Sequence, residues 1–195
     1  EVVERFDQGP NNTFGEIQFR NTAPWALGRL QLDDAGDYEV SAGLRYTDSR
    51  YFGNEWGVQL GGTVDAGFAS FYAQYSRSFN YPGVYTTVFG RRPPPWGVGD
   101  DWQNLGAEII NHFEVGLSAL RAGPAEVTLS IFRDEVEDAL RIAPPPPVGL
   151  IRNVGAYDIT GAEASLLYRA SETLSVFLGA ATMDASSDEV PNVPD

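Results

Sequence analysis

The segment Tyr38-Glu39-Val40-Ser41-Ala42-Gly43-Leu44-Arg45-Tyr46 decides the fold of this chain, because apolar and polar residues alternate along its whole length. Side chains of a β-strand point to opposite faces in turn. One face therefore carries apolar residues between two tyrosines, and the other carries Glu39, Ser41, Gly43 and Arg45. As a strand, the segment spans roughly 27 Å. At a tilt of about 40° it rises roughly 20 Å, close to the height of the apolar band of a membrane barrel.

The same alternation recurs along the chain and predicts further strands. We expect strands at 13–22, 37–47, 55–64, 67–80, 108–121, 125–140, 156–169 and 172–184. The predicted outward, apolar faces hold Trp56, Val58 and Leu60; Ala69, Phe71, Ala73 and Tyr75; Phe113, Val115, Leu117 and Ala119; Val127, Leu129 and Ile131; Ala162, Ala164, Leu166 and Tyr168; and Leu174, Val176, Leu178 and Ala180. The predicted inward faces hold Gln59, Thr63, Ser70, Gln74, Ser76, Glu114, Ser118, Thr128, Ser130, Glu163, Ser165 and Ser175.

The connections between these strands alternate in length. Short connections with Gly, Pro, Asp or Ser are typical of tight turns, and they lie at Leu32–Gly36, Val64–Gly67, Arg121–Ala125 and Arg169–Glu172. Longer ones lie at Thr47–Asn54, Tyr81–Ala107 and Arg141–Gly155. Bacterial barrels have short turns at the periplasmic end and long loops outside. The sequence therefore predicts an all-β fold, an antiparallel up-and-down transmembrane β-barrel. About eight strands are predicted, and a sheet of these strands alone would have two open edges, which lipid does not tolerate. We therefore expect the barrel to be incomplete.

Composition excludes several other classes of protein. The chain has 195 residues, no cysteine, and 13 basic residues that are all arginine, against 27 acidic ones. The net charge of −14 gives no basic footprint for nucleic acid. No run of 18 apolar residues is present, so a transmembrane helix is not expected. Disulfides, thiolate metal sites and cysteine nucleophiles are excluded as well.

Four segments between residues 67 and 180 carry a resemblance to a known family. In chain order they are Phe71-Tyr72-Ala73-Gln74-Tyr75-Ser76-Arg77-Ser78-Phe79-Asn80-Tyr81-Pro82; Leu105-Gly106-Ala107-Glu108 with Phe113-Glu114-Val115-Gly116-Leu117; Val127–Asp134 through Asp138-Ala139-Leu140; and Asn153-Val154-Gly155-Ala156-Tyr157 with Gly161-Ala162-Glu163. Their order and spacing resemble the barrel strands of TonB-dependent outer-membrane receptors. The second segment keeps the Leu and Glu of the family's Leu-Lys-Pro-Glu motif but not its Lys and Pro.

The resemblance implies a fold and a function. It implies a barrel of about 22 strands closed around an N-terminal plug, located in the bacterial outer membrane and energised by the TonB complex through that plug. Residues 1–195 would form part of the barrel domain, without the plug and the last strands. The implied function is import of a scarce nutrient of the siderophore, cobalamin or oligosaccharide class, without enzymatic chemistry or a cofactor. Implied partners are TonB, outer-membrane lipid and lipopolysaccharide, and a small nutrient ligand such as a metal chelate.

One predicted external loop concentrates candidate ligand-binding residues. Aromatic faces with guanidinium groups can stack on and pair with an anionic, aromatic or sugar ligand. The alternative is that the aromatic residues lie at the membrane interface and the arginines bind lipopolysaccharide phosphates. The candidates are Tyr81, Tyr85, Arg91, Arg92, Trp96 and Trp102, with Phe89 in the same loop.

Catalysis and metal binding have weaker support. His112 is the only histidine, so a serine-histidine-aspartate triad would have to use it, and no nucleophile motif is present. By alternation it lies beside Glu114 on the inward face. Carboxylates cluster at Asp100-Asp101, at Asp134-Glu135-Glu137-Asp138 and near Asp184, but none has calcium-loop spacing. We expect no metal site.

Two other classes remain open at this point. The chain is alternatively an outer-membrane barrel hydrolase or a soluble carbohydrate-binding β-sandwich module. A sandwich requires the apolar faces to pack against a second layer, whereas a barrel leaves them as an exposed band. As an isolated piece of a barrel, the chain is expected to enter detergent or aggregate, because open edges and an apolar face do not suit a soluble monomer.

Overall fold

The computed structural model describes residues 2–4, 17–83, 103–143, 150–153 and 155–187. Side chains are described for 19–83, 103–140, 153 and 155–187. Thirteen strands lie in this part of the chain. They are β1 (Val2–Glu4), β2 (Ile17–Phe19), β3 (Asn21–Thr22), β4 (Trp25–Gln31), β5 (Tyr38–Ser49), β6 (Gly53–Asp65), β7 (Ala69–Asn80), β8 (Glu108–Ala122), β9 (Ala125–Glu137), β10 (Leu140–Ala143), β11 (Leu150–Asn153), β12 (Tyr157–Arg169) and β13 (Ser175–Ser187).

Nine strands form one antiparallel sheet. Its order is β13-β12-β9-β8-β7-β6-β5-β3, and β4 also pairs with β5. Two small antiparallel pairs, β1–β2 and β10–β11, lie outside it. Neighbours in the main sheet are therefore neighbours in the chain, apart from the insertion of β10 and β11 and the pairing of both β3 and β4 with β5. The predicted antiparallel up-and-down sheet is confirmed, and the sheet is not closed into a barrel.

β3 and β4 lie one after the other along the same side of β5. Asn21 and Thr22 pair with Ser49 and Asp48, and Trp25 pairs with Arg45. Pro24 lies between the two short strands and has no N–H with which to continue the ladder. Its carbonyl nevertheless accepts a hydrogen bond from Tyr46 N at 3.0 Å. The proline thus interrupts the strand assignment without separating this edge from β5.

Several boundaries differ from the prediction: the strand predicted at 125–140 ends at Glu137, and the strand predicted at 172–184 lies at Ser175–Ser187. The sequence pattern predicted one strand at 13–22, where the structure has β2 and β3, and it gave no prediction for β4. The connection predicted at Thr47–Asn54 is shorter, because β5 and β6 extend to Ser49 and Gly53. The connection predicted at Arg141–Gly155 contains the β10–β11 hairpin. The short predicted turns all lie at the opposite end of the sheet from these two connections, because the strands alternate in direction.

The strand register fixes which residues share a face. Thr63 pairs with Tyr72, Tyr72 with Gly116, Gly116 with Ser130, and Ser130 with Glu163. This row crosses five strands on one face, called the polar face below. Leu117 pairs with Phe71 and Leu129, which lie on the other, apolar face. Glu114 pairs with Gln74 on the polar face. Glu114 and Glu163 therefore lie on the polar face, whereas Leu117 and Leu166 lie on the apolar face, as predicted.

A β-bulge in β8 overturns one predicted face. Phe71 pairs with Leu117, but the next residue towards the turn, Ser70, pairs with Ala119, so β8 has one extra residue. The register against β9 shifts at the same place, and Leu120 pairs with Val127. The extra residue reverses the alternation beyond it. The prediction that Ala119 lies on the apolar face is wrong, and Leu120 takes that place.

The apolar face is uncovered. Val115, Ile131 and Leu178 are 48%, 59% and 60% exposed, and the strands of the main sheet make their principal contacts with their sheet neighbours. A continuous exposed band of this kind is the arrangement expected of a barrel wall, and it is not that of a sandwich. Within the described residues, no helix has the length and apolar character needed to cross a membrane.

The turn between β6 and β7 shows how the short connections are built. Gly67 has a φ of +81°, a left-handed conformation that glycine adopts without strain. The carboxylate of Asp65 accepts hydrogen bonds from Gly67 N at 2.7 Å and from Ser70 Oγ at 2.9 Å. These bonds, the one from Gly67 N foremost, lower the pKa of Asp65 below its ordinary value. The ionised aspartate thus fixes the turn.

Glycines on the polar face make room for aromatic rings of adjacent strands. A Cβ at Gly116 would lie 2.5 Å from the Tyr72 ring and 2.7 Å from the carbonyl oxygen of Leu129. Neither a ring wedged between strands nor a ladder carbonyl moves easily. At Gly62, which lies on the apolar face, the nearest atom to a Cβ is the Glu39 carbonyl oxygen at 3.9 Å. The two glycines therefore differ in the space around them.

We expect Gly116→Ala to destabilise the folded protein by about 1–3 kcal/mol, because the methyl group overpacks the ring and the carbonyl. Gly62→Ala is the matched control and should stay within about 0.5 kcal/mol or gain slightly. The measurement is the urea midpoint of the membrane-extracted protein in detergent, with protease resistance as the probe. Equal midpoints for the two variants would show that Tyr72 does not pack over Gly116.

Candidate functional site

A connected group of polar side chains lies on the polar face of β7, β8 and β9. Glu114 accepts hydrogen bonds from the Tyr72 hydroxyl at one oxygen and from Gln74 Nε2 at the other, the latter at 2.5 Å. His112 Nε2 lies 3.2 Å from the same Glu114 oxygen, and His112 Nδ1 lies 2.6 Å from Asp134 Oδ1. These five residues form what is called the Glu114 network below.

The Glu114 network does not have the arrangement of a catalytic triad. Both ring nitrogens of His112 face carboxylates. Both can donate only if both carry hydrogen, so neither nitrogen is left to accept a proton from a nucleophile. Among the described residues, no group of three or more His, Asp or Glu side chains is arranged to hold a metal ion. The hydrogen bonds of the Glu114 network instead hold side chains of β7, β8 and β9 in fixed positions relative to one another.

Tyr81 is the only one of the six candidate loop residues within the described part. Its hydroxyl donates to the carbonyl oxygen of Gly53 at 3.1 Å, and its ring stacks on Phe52 at 5.8 Å. Burial raises the pKa of its hydroxyl, and the nearby carboxylates of Glu55 and Asp48 raise it further. Tyr81 thus holds the β5–β6 connection against the end of β7. Tyr85, Arg91, Arg92, Trp96 and Trp102 lie outside the described residues.

Aromatic pairs mark the end of the apolar face nearest the long connections. The rings of Tyr46 and Trp56 lie 4.7 Å apart, and those of Tyr75 and Phe113 lie 4.9 Å apart. Girdles of aromatic residues are found where the wall of a membrane barrel meets the membrane interface.

Charged residues follow directly beyond these rings. Arg77 binds Glu55 at 3.0 Å and the Trp56 carbonyl oxygen. Arg133 binds Glu135 at 3.0 Å and Asp158 at 3.4 Å. Since charges are excluded from the centre of the bilayer, the change from rings to ion pairs marks where the apolar band ends.

Asn153 joins two connections that are far apart in the sequence. Its Oδ1 accepts a hydrogen bond from Gly106 N at 2.7 Å, and its Nδ2 donates to the carbonyl oxygens of Gly106 at 3.1 Å and Asp138 at 2.8 Å. Nearby, the Glu108 carboxylate accepts from Leu140 N at 3.1 Å. These four bonds are called the Asn153 clamp below.

The Asn153 clamp encloses much of the well-buried apolar surface in the described chain. Residue exposure there falls to 1% at Ala139 and 3% at Val136. Leu105, Ala107 and Ile109 are also buried. The motif resemblance at Leu105–Glu108 and Asn153–Tyr157 gave the signal for this site. The contact between these two segments is seen only in the structure, where Asn153 is hydrogen-bonded to Gly106.

These features together define a class of protein. An antiparallel sheet with one uncovered apolar face, one polar face, aromatic residues at the rim and short turns at one end is the wall of a membrane β-barrel. The model of the family described as TonB dependent receptor-like, beta-barrel, matches residues 5–195. The chain belongs to that family.

Solved structures that align with this chain include a siderophore receptor, a ferric enterobactin receptor and an iron transporter. The siderophore receptor PirA from Pseudomonas aeruginosa aligns with a TM-score of 0.75 at 22% identity, over 87% of this chain and 32% of that one. A mutant of the ferric enterobactin receptor PfeA from the same organism, in complex with enterobactin, gives 0.72 at 16% identity, over 90% and 28%. The FrpB iron transporter from Neisseria meningitidis gives 0.66 at 17% identity, over 87% and 26%. The chain thus spans about a third or less of these proteins. Comparison with curated proteins gives no significant match.

We expect Asn153→Ala to loosen the connections at Gly106 and Asp138, because three hydrogen bonds to main-chain groups are lost at once. The loss should destabilise this region by about 1–3 kcal/mol. The measurement is amide hydrogen exchange at Gly106, which should become faster by roughly one to two orders of magnitude. Asn80→Ala is the matched control, since Asn80 makes no side-chain hydrogen bond within the described structure. Unchanged exchange in Asn153→Ala would contradict the clamp.

Proposed function

We propose that this chain forms part of the barrel wall of an outer-membrane receptor that imports a ferric siderophore, with energy supplied by TonB. The observation that carries the proposal is the match of the family model to residues 5–195. The siderophore class is supported by the names of the structural relatives, which include a siderophore receptor and a ferric enterobactin receptor. Cobalamin and oligosaccharides are the competing ligand classes.

In this proposal the apolar face contacts lipid and the polar face lines the lumen. The Glu114 network then orders polar groups on the inner wall, where charged side chains are hydrated. The Asn153 clamp holds the external connections in place, and the ion pairs of Arg77 and Arg133 lie at the level of the lipid headgroups. The chain binds and guides a ligand in this function and breaks no bond, and we infer that it is not an enzyme.

Neighbouring residues of β9 give a direct test of the two faces. Ile131 lies on the apolar face and Ser130 on the polar face. The chain has no cysteine, so Ile131→Cys and Ser130→Cys each introduce one thiol into it for a spin label. In membranes, we expect the label at residue 131 to be relaxed by oxygen, which dissolves in lipid. The label at residue 130 should be relaxed by a water-soluble nickel chelate. The reverse result would place the polar face towards lipid.

Deletion of the gene tests the ligand class. Under iron limitation, we expect the deleted strain to lose growth on one ferric siderophore from a panel of catecholates and hydroxamates, and the restored gene to recover it. The same recovery should fail in a strain without TonB. Uptake of cobalamin and maltooligosaccharides serves as the control and should not change. Loss of either of those instead, with iron uptake intact, would overturn the siderophore class.

A further inference from the structure

A trough of about 660 Å³ lies on the polar face near the external ends of β4 to β7. Its floor includes Gly43 and Gly57, which contribute no side chain. A Cβ at Gly57 would lie 3.5 Å from the Arg77 carbonyl oxygen and 3.7 Å from Arg45 Cβ, which is ordinary contact. The backbone therefore accepts a side chain at Gly57. The trough owes its depth to the glycine that the sequence has there.

The walls of the trough combine an indole ring with a cationic group. Trp25 is 73% exposed and pairs directly with Arg45, so that both lie on the same face of adjacent strands. Leu27 lies on the same wall, and Gln59 and Ser76 form the opposite one. A volume of this size suits a small molecule with one or two rings.

Most polar side chains of the trough have no partner among the described residues; the exception is Arg77, which also lines the trough and pairs with Glu55. Within the described structure, Arg45, Gln59, Ser76 and Ser78 make no side-chain hydrogen bond or ion pair. Arg29 is two strand positions beyond Leu27 on the same face, and it is paired with Glu39 at 3.2 Å. The guanidinium charge of Arg45 is thus available to a ligand in the trough, whereas that of Arg29 is balanced by the Glu39 carboxylate.

We propose that this trough is a binding subsite for an organic anion that carries a flat aromatic ring. A guanidinium pairs with a carboxylate or similar anion through two parallel hydrogen bonds. An exposed indole offers a face on which an aromatic ring stacks. Arg45 and Trp25 supply both within one trough, and the amide of Gln59 and the hydroxyl of Ser76 orient the remaining polar groups. The proposal deepens the proposed function and rests on it, because import brings such a ligand to the lumen.

The test uses the full-length protein in detergent micelles, labelled with 5-fluorotryptophan, and benzoate as the probe. The fluorine signal of Trp25 is assigned with Trp25→Phe. We expect benzoate to shift this signal in a saturable way. Benzyl alcohol, which has the ring without the charge, should bind roughly tenfold more weakly. The signal of Trp56, on the apolar face, reports folding and should stay in place.

Three variants separate the subsite from general electrostatics. Arg45→Gln should weaken benzoate binding roughly tenfold, and Gly57→Leu should abolish the shift by filling the floor. Arg29→Gln, which removes a cation from the same face, should leave binding unchanged. The proposal is overturned if benzoate leaves the Trp25 signal in place, if it shifts Trp56 equally, or if the two arginine variants lose affinity to the same extent.

The subsite and the proposed function fail in different ways. If the gene deletion abolishes siderophore uptake while benzoate leaves Trp25 unaffected, the subsite is wrong and the receptor function stands. If the deletion leaves iron uptake intact while benzoate binds in an Arg45-dependent way, the subsite stands and its ligand is not a siderophore.

Discussion

Main-chain hydrogen bonding is the constraint on which the rest of this structure depends. In hydrocarbon, an unpaired N–H or C=O group costs several kcal/mol. The ladder that runs from β13 through β12, β9, β8, β7 and β6 to β5 pairs the strands on both sides, and only the outer strands retain free edges. Once the ladder is continuous, the pleat places every second side chain on the same face. The division into an apolar and a polar face follows from that geometry.

A wall that is one sheet thick has no conventional core, and its packing is correspondingly local. On the polar face, rings fill the space above glycines of the next strand, as Tyr72 does at Gly116 and Phe132 does at Gly161. Much of the buried apolar surface of the described residues lies instead at the end of the sheet with the long connections, around Val136 and Ala139. There the Asn153 clamp supplies the hydrogen bonds that a loop inside a soluble domain would obtain from a surrounding core. Stability of the loops is thus built separately from stability of the wall.

The alternation of apolar and polar residues was enough to predict most strands of the sheet, but it predicted little of the candidate functional site. It placed Glu114 and Glu163 correctly, because alternation survives wherever a strand is regular. It missed β4, in which Trp25 and Leu27 lie on the polar face and blur the pattern. It missed β10 and β11 because proline-rich sequence between them favours a loop. It could not find the bulge at Ala119, because an inserted residue changes pairing without changing composition.

The candidate functional site could not be predicted without knowing how the strands pair with one another. The sequence predicted His112 beside Glu114, but Asp134 reaches His112 only through the register of β8 against β9. Asn153 and Gly106 are separated by 47 positions, and their contact follows from the path of the chain around the β10–β11 hairpin. Arg45 was visible from the start as a polar-face residue. That Arg45 has no partner among the described residues depends on its neighbours in adjacent strands, which no local sequence pattern records.

The extra residue in β8 also has a meaning for the geometry of a closed barrel. Strand number and the accumulated stagger of one strand against the next together set the tilt and the radius of a barrel. A bulge at the turn end of β8 adds one residue to that stagger on a single strand, at Leu117–Leu120. It therefore acts as a local adjustment of shear, placed where the wall leaves the apolar band. The circumference below the bulge need not match the circumference above it, and the wall can taper without breaking its hydrogen bonds.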